Sequence, residues 1–256
     1  MKKVFAVFVA AVALVVAGLS AESAFYETPV LMYHLVDEPV KESSVYVRPD
    51  SFERQMEFLK LHRYRVVPLE ELLADIQMGR KIPAKTVAIT FDDGTIDNFT
   101  NAFPVLRKMH FPATIFMITS NIGRPGWLSE EDLKILSESG VTIGSHTVNH
   151  AFLPELSPEE VRFELTASKK RLEDLLGHEV RLFSYPAGGV TPAIEQAVKD
   201  AGYAGAVTTN YGSVRNDPYA MHRVKVSDSS RNLFRFWTKV SGFARAGKKG
   251  VYYPGA

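Results

Sequence analysis

No cysteine occurs in the 256 residues. That excludes a disulfide framework and a lipid-modified cysteine near the N-terminus, so the fold must be held by its core. An excess of charge of one sign is also missing. Thirty basic and 29 acidic residues leave a net charge of +1, and the two signs are interspersed. This argues against a nucleic-acid footprint or a polyanionic partner. There is no long charge block, no low-complexity tract and no internal repeat. What is present is apolar residue: 46% of the chain is hydrophobic, enough for one substantial core.

The N-terminus stands apart. Lys2 and Lys3 precede an unbroken apolar run from Val4 to about Leu19, and small residues follow. This is the layout of a secretory signal peptide, read over residues 1–23, with one domain over 24–256 and export as the consequence. An uncleaved anchor is the alternative, because the run is nearly long enough to span a bilayer. Unless the run is retained as such an anchor, the mature part is expected to carry no span.

Beyond it, short apolar runs alternate with helical patterns. Strands are expected at 29–36, 64–69, 86–92, 113–119, 141–147, 180–186, 204–209 and 222–227. Helices are expected from Ser51, Ser129, Ser157 and Thr191 as caps, with Pro158 and Pro192 at first helical positions and Glu160 completing a capping box. The segment 98–109 reads as helical despite Pro104, and 232–237 as an aromatic amphipathic helix with a core face. This alternation means an α/β fold with a mostly parallel sheet and right-handed crossovers. The pattern leaves a closed barrel and an open sheet equal. In both, reactive groups sit at the carboxyl ends of the strands.

Unusual residues fall at those ends. Asp92 and Asp93 close one strand and Gly94 follows. Neighbouring carboxylates repel and lose hydration when buried, so the pair asks for a reason. His146 and His150 follow another strand, and on a helical turn their i, i+4 spacing would place both on one metal. His34 ends the first strand, and Ser184-Tyr185-Pro186-Ala187-Gly188 follows the sixth. Each feature alone is commonplace; four of them at strand ends form a constellation. His62, His110 and His178 read as helix-end or loop residues.

Thr90-Phe91-Asp92-Asp93-Gly94 and His146-Thr147-Val148-Asn149-His150 together resemble the first two motifs of the polysaccharide deacetylases, carbohydrate esterase family 4. The resemblance runs from about Pro29 to Val226. It implies a distorted (β/α) barrel of about seven strands and a metal-dependent hydrolase that removes acetyl groups from carbohydrate polymers. The opening Pro29-Val30-Leu31-Met32-Tyr33-His34 is similar to the poly-N-acetylglucosamine deacetylases of biofilm systems, in which the acid histidine lies on the N-terminal strand. The resemblance implies Asp93, His146 and His150 as metal ligands, Asp92 as general base and His34 as general acid. It implies Ala187, with Pro186 and Tyr185, as the oxyanion and substrate segment. The metal expected is divalent, zinc first, with cobalt, nickel or iron as alternatives.

One departure stands out. The family's third motif usually carries an arginine that braces the catalytic aspartate, and Ser184 stands in its place. Arg223 and Lys225 are candidates for the missing cation. Asn149 or Thr147 is expected to support the metal ligands. Tyr33, Tyr185, Trp127 and Phe183 are candidates to stack on sugar rings, with core packing the alternative for Phe183. The expected partner is a polysaccharide. The leading function is N-deacetylation of an N-acetylglucosamine polymer. An O-acetyl esterase on xylan or another exopolysaccharide, a peptidoglycan deacetylase, and a degenerate glycan-binding member are the alternatives.

Overall fold

Seven short parallel strands close on themselves in the computed structural model, which describes residues 28–39, 44–211 and 217–242. In chain order the strands are β1 (Val30–Tyr33), β2 (Leu35–Val36), β3 (Tyr46–Val47), β4 (Arg65–Val66), β5 (Thr86–Phe91), β6 (Thr114–Met117), β7 (Thr142–Ser145), β8 (Leu182–Ser184), β9 (Gly205–Tyr211) and β10 (Met221–Lys225). The ring runs β1-β5-β6-β7-β8-β9-β10 and returns to β1 through Leu31 opposite Val224. β4 hangs on the outside of β5, and β2 pairs with β3 in a separate two-residue ladder. The seven-stranded barrel is thus the architecture. The segment read as a signal peptide lies outside the described residues. Among the described residues no helix is long and apolar enough to cross a membrane.

The helices are α1 (Pro49–Leu61), α2 (Leu69–Gln77), α3 (Phe103–Met109), α4 (Glu130–Glu138), α5 (Pro158–Leu176), α6 (Pro192–Asp200) and α7 (Leu233–Val240). Ser129, Ser157 and Thr191 cap as expected, the first two in reciprocal capping boxes. Ser51 does not cap. The helix begins earlier, because Pro49 fixes the first helical φ and Arg48 supplies the extended residue before it. The segment 98–109 is helical in two parts: a wide π-type turn over Asn98–Ala102 leads into α3, with Pro104 in the first turn of the regular helix. α2 was not anticipated. It begins at Leu69, the last residue of the strand expected over 64–69, directly after Pro68.

Strand alternation sorts the side chains into two layers. Outward residues such as Leu31, Ile89, Ile115, Ile143 and Val224 pack under the helices with Phe52, Leu106, Leu136, Leu165 and Phe236. Inward residues Val30, Ala88, Phe116, Leu182, Val207 and Met221 form a second cluster with Leu69, Leu72 and Leu73 of α2. α2 therefore packs onto the apolar interior at the N-terminal end of the strands. Polar residues come next along the same inward rows: Thr90 and Asp92, Arg223 and Lys225, His34, and Ser184. The carboxyl ends of the strands are where the barrel interior turns from apolar to ionisable.

Candidate active site

A sharp reversal after β5 resolves the puzzle of the paired acids. Asp93 and Gly94 both adopt left-handed backbone, φ 75° and 84°. For Asp93 this is a strained conformation of the kind that clusters at functional sites. Gly94 is required twice over, because a Cβ there would lie 2.1 Å from Met117 Sδ. The turn is pinned by Ile118 N–H donating to the Asp93 carbonyl at 3.2 Å and Leu128 N–H to the Gly94 carbonyl at 3.1 Å. Both carboxylates consequently line one cleft, instead of opposite faces of the strand.

Asp93 meets two histidines in that cleft. Its Oδ1 lies 3.6 Å from His146 Nε2 and 3.6 Å from His150 Nε2. The three ligand atoms all lie within 4.8 Å of one another. A tetrahedral cation with ligands at ~2.0–2.1 Å needs its donors ~3.4 Å apart, so this set fits such an ion after small adjustments. His146 Nδ1 lies 2.7 Å from the Ser184 carbonyl, which fixes the tautomer with Nε2 free to ligate. The segment 146–150 is not a helical turn. Thr147 and His150 take left-handed φ of 67° and 57°, and a non-repeating turn brings the rings together at 4.8 Å.

The charge state supports a cation centre. Burial pushes the Asp93 carboxyl up to about 6, against the pull of His34, while Asp92 pushes it further. Burial pushes His146 down to about 4 and lowers His150 as well. The His146–Asp93 contact is therefore not an ion pair at neutral pH, and three acceptors converge without a donor. Below about pH 6 a cation must displace the Asp93 proton to bind. Apparent metal affinity is expected to rise at least about tenfold per pH unit between pH 4 and 6, then level off. Competition titration with a chromophoric chelator measures this. A flat profile over that range would remove Asp93 from the ligand set.

Arg223 supplies the cation that Ser184 does not. It is fully buried, on β10, and all five of its N–H groups are used. The two terminal nitrogens hold Asp92 Oδ1 and Oδ2 at 2.6 Å each, and the remaining N–H bonds go to Thr208 O, Thr90 Oγ1 and Ser184 Oγ at 2.9, 3.1 and 2.9 Å. Burial acts to raise the Asp92 pKa, but the charges of Arg223 and His146 and the Arg223 hydrogen bonds outweigh it. The carboxyl is held well below its usual range. Ser184 keeps a smaller part, its Oγ 3.4 Å from Asp92 Oδ1. Lys225, the other candidate, sends its ammonium to Ser44 Oγ at 2.9 Å and forms a cleft wall.

His34 faces the same cleft, of about 470 Å³, with Met32, Thr209, Ala187 and Lys225. Its Nδ1 is buried without a hydrogen-bond partner. The segment that carries it is clamped by the residues after the Asp pair. Asn98 Nδ2 donates to the His34 carbonyl at 2.9 Å, Asp97 Oδ2 accepts the Val36 N–H at 2.6 Å, and Asn101 Nδ2 donates to the Val36 carbonyl at 2.8 Å. These three were missed from sequence: Asn98 and Asn101 lie on the π-type turn and Asp97 just before it, and the only visible signal was their crowding after the Asp pair.

Other expectations fare differently. Ala187 stands exposed in the cleft with φ 51°. Pro186 is buried behind it. Tyr185 is not a cleft residue: its ring packs edge-on against Phe183 and its hydroxyl donates to the Tyr219 carbonyl at 2.9 Å. Tyr33 is likewise core, bonded to Gln55 Oε1 at 2.9 Å. Tyr33 lies on an outward position of β1 and Tyr185 continues the outward row of β8 through Phe183, which takes both away from the barrel mouth. Phe183 packs in the core and Trp127 against it. The Asn232–Trp237 stretch buries Phe236 but leaves Phe234 68% exposed.

Comparison with known proteins points to one family. The polysaccharide deacetylase family model matches residues 79–206. YxkH of Bacillus subtilis, which carries the same family name, is 36% identical over 201 residues, covering 78% of this chain and 71% of its own. The poly-β-1,6-N-acetyl-D-glucosamine N-deacetylase of Staphylococcus epidermidis is 29% identical over 75% of this chain and 72% of its own. Among solved structures, the Streptococcus pyogenes deacetylase PplD in complex with acetate superposes with a TM-score of 0.76 at 29% identity, covering 82% of this chain and 97% of that one.

Proposed function

Since the chain belongs to the polysaccharide deacetylase family, we propose that it is an exported, metal-dependent enzyme that hydrolyses N-acetyl groups on a poly-N-acetylglucosamine-like polysaccharide. The observation that carries this is the convergence of Asp93, His146 and His150 beside the Asp92–Arg223 pair, with His34 in the same cleft. The S. epidermidis relative supports the polymer, and the apolar N-terminal run supports export.

Asp93, His146 and His150 would hold the ion, with zinc suited to a set of two imidazoles and one carboxylate. When bound, a divalent cation acidifies a water and polarises the acetyl carbonyl. Asp92 stays ionised at every working pH and is fixed by Arg223, so it orients the attacking water and takes its proton. With Arg223 on both oxygens it is a weak base, and the proton must move on. Burial lowers the His34 pKa, Asp92 and Asp93 opposing and Arg223 and Lys225 assisting. His34 therefore rests as neutral imidazole, receives that proton and delivers it to the leaving nitrogen. The Ala187 N–H would donate to the oxyanion.

Acetate release tests the reading. Oligomers of β-1,6-linked N-acetylglucosamine should release acetate with wild-type protein. Asp92→Asn and His34→Ala should each lower turnover by about 10²–10⁴, and His34→Ala should still bind the ion. Release from O-acetylated xylan or peptidoglycan alone would move the substrate. Binding of glycan with no release from any of them would make this a non-enzymatic member.

A further inference from the structure

We propose that Glu164 of α5 is a positioning residue that holds the 146–150 turn in its ligand-binding shape. The proposal rests on reading that centre as a metal site. Glu164 is 5% exposed, and its three hydrogen bonds all come from N–H groups of the turn. Oε2 accepts the backbone N–H of Val148 at 2.7 Å and of Asn149 at 3.0 Å; Oε1 accepts Asn149 Nδ2 at 2.7 Å.

The turn needs an external hold. Thr147 and His150 are both left-handed, a conformation disfavoured for residues with a Cβ, and no helical ladder runs through the segment. Its carbonyls are tied on one side, Thr147 O accepting the Thr119 N–H at 3.1 Å and Val148 O the Ser120 N–H at 3.0 Å. On the other side the His146 N–H goes to the Met117 carbonyl at 3.0 Å, and the N–H groups of Val148 and Asn149, at the centre of the turn, go to Glu164. One helical turn further along α5, Ser168 Oγ meets Ser145 Oγ at 2.8 Å. That contact sets the helix against β7, the strand that leads into His146. Glu164 and Ser168 thus lie on one helix face and transmit the position of α5 to the metal ligands. Asn149, anticipated as a support for the ligands, acts through Glu164.

The test separates positioning from general stability. Zinc affinity is read by competition with a chromophoric chelator, and exchange of the Val148 and Asn149 amides is read in metal-free protein. Glu164→Ala should bind zinc about 10–100-fold more weakly and exchange both amides faster, while remaining folded. Glu164→Gln should recover affinity to within about threefold, because a side-chain carbonyl can take both backbone N–H groups while the Asn149 amide turns to accept from the new Nε2. Should Glu164→Ala fail to fold, Asn149→Ala, which removes one of the three bonds, takes its place with an intermediate loss expected. Wild-type affinity and wild-type exchange in a folded Glu164→Ala or Asn149→Ala would overturn the proposal. If the wild type itself binds no zinc, the metal reading fails, and the exchange rates still decide whether Glu164 holds the turn.

Discussion

Replacing Arg223 with methionine should destabilise the protein by roughly 3–5 kcal/mol at neutral pH and reduce deacetylation to near background. The magnitude is that of breaking one side of a buried ion pair, which leaves the other charge in low dielectric without a partner. Asp92 is 1% exposed, and its carboxyl is held low chiefly by Arg223 against the effect of burial. Without the guanidinium, burial dominates and the Asp92 pKa rises above the ~3.9 of an unfolded chain. A folded-state pKa raised in this way gives stability present at low pH and lost as pH rises through it. The deficit of the variant should therefore be largest at pH 8 and shrink towards pH 5. Urea unfolding at both values measures it. The second substitution Asp92→Asn should recover much of the loss in a double-mutant cycle, since the orphaned charge is gone, and recover no activity. Equal stability of wild type and Arg223→Met at both pH values would mean that the pair stabilises nothing.

That pair also marks the limit of what the chain reveals before it folds. The strand–helix alternation, the three side-chain caps and the convergence of Asp92, Asp93, His146, His150 and His34 at strand ends were all legible, because each is local or follows from strand direction. Ring closure was not. Arg223 stands 131 residues from Asp92 and 39 from Ser184, and only the pairing of β10 with β1 brings it under β5. The family's arginine is thus replaced from another strand, with Ser184 reduced to a hydrogen-bond partner of the newcomer. The ligand turn shows a second limit. The His146–His150 spacing fits a helix, and no residue announces that Thr147 and His150 will be left-handed. The outside bonds from Glu164, Thr119 and Ser120 select that shape. Tyr185 shows a third: its place in the motif suggested substrate, while strand alternation turned its ring to the core. Of α2 only Leu69 falls in the strand expected over 64–69, and the rest carries no reading, because only the open end of a closed barrel needs a plug there.

Replacing Asp93 with asparagine should abolish metal-dependent turnover while leaving the fold intact. The side chain is isosteric and the turn is held by backbone bonds from Ile118 and Leu128, so stability should change little. What disappears is the anionic ligand between two imidazoles. Metal affinity should fall by more than the ~10–100-fold typical of losing a supporting residue around a site. The variant should also lose the rise of affinity between pH 4 and 6, because the proton that metal displaces belongs to Asp93. His34→Ala forms the contrast, with turnover lost and metal retained.

The central claim is that Asp93, His146 and His150 hold a divalent cation on which deacetylation depends. It is tested most directly by acetate release from N-acetylglucosamine oligomers after chelator treatment and after stoichiometric return of zinc, cobalt, nickel or iron(II), in wild type and Asp93→Asn. The account predicts no release from stripped protein, recovery of the wild type at about one ion per chain, and no recovery of Asp93→Asn at that ratio. Full activity in the stripped wild type, or equal recovery of the variant, would contradict it.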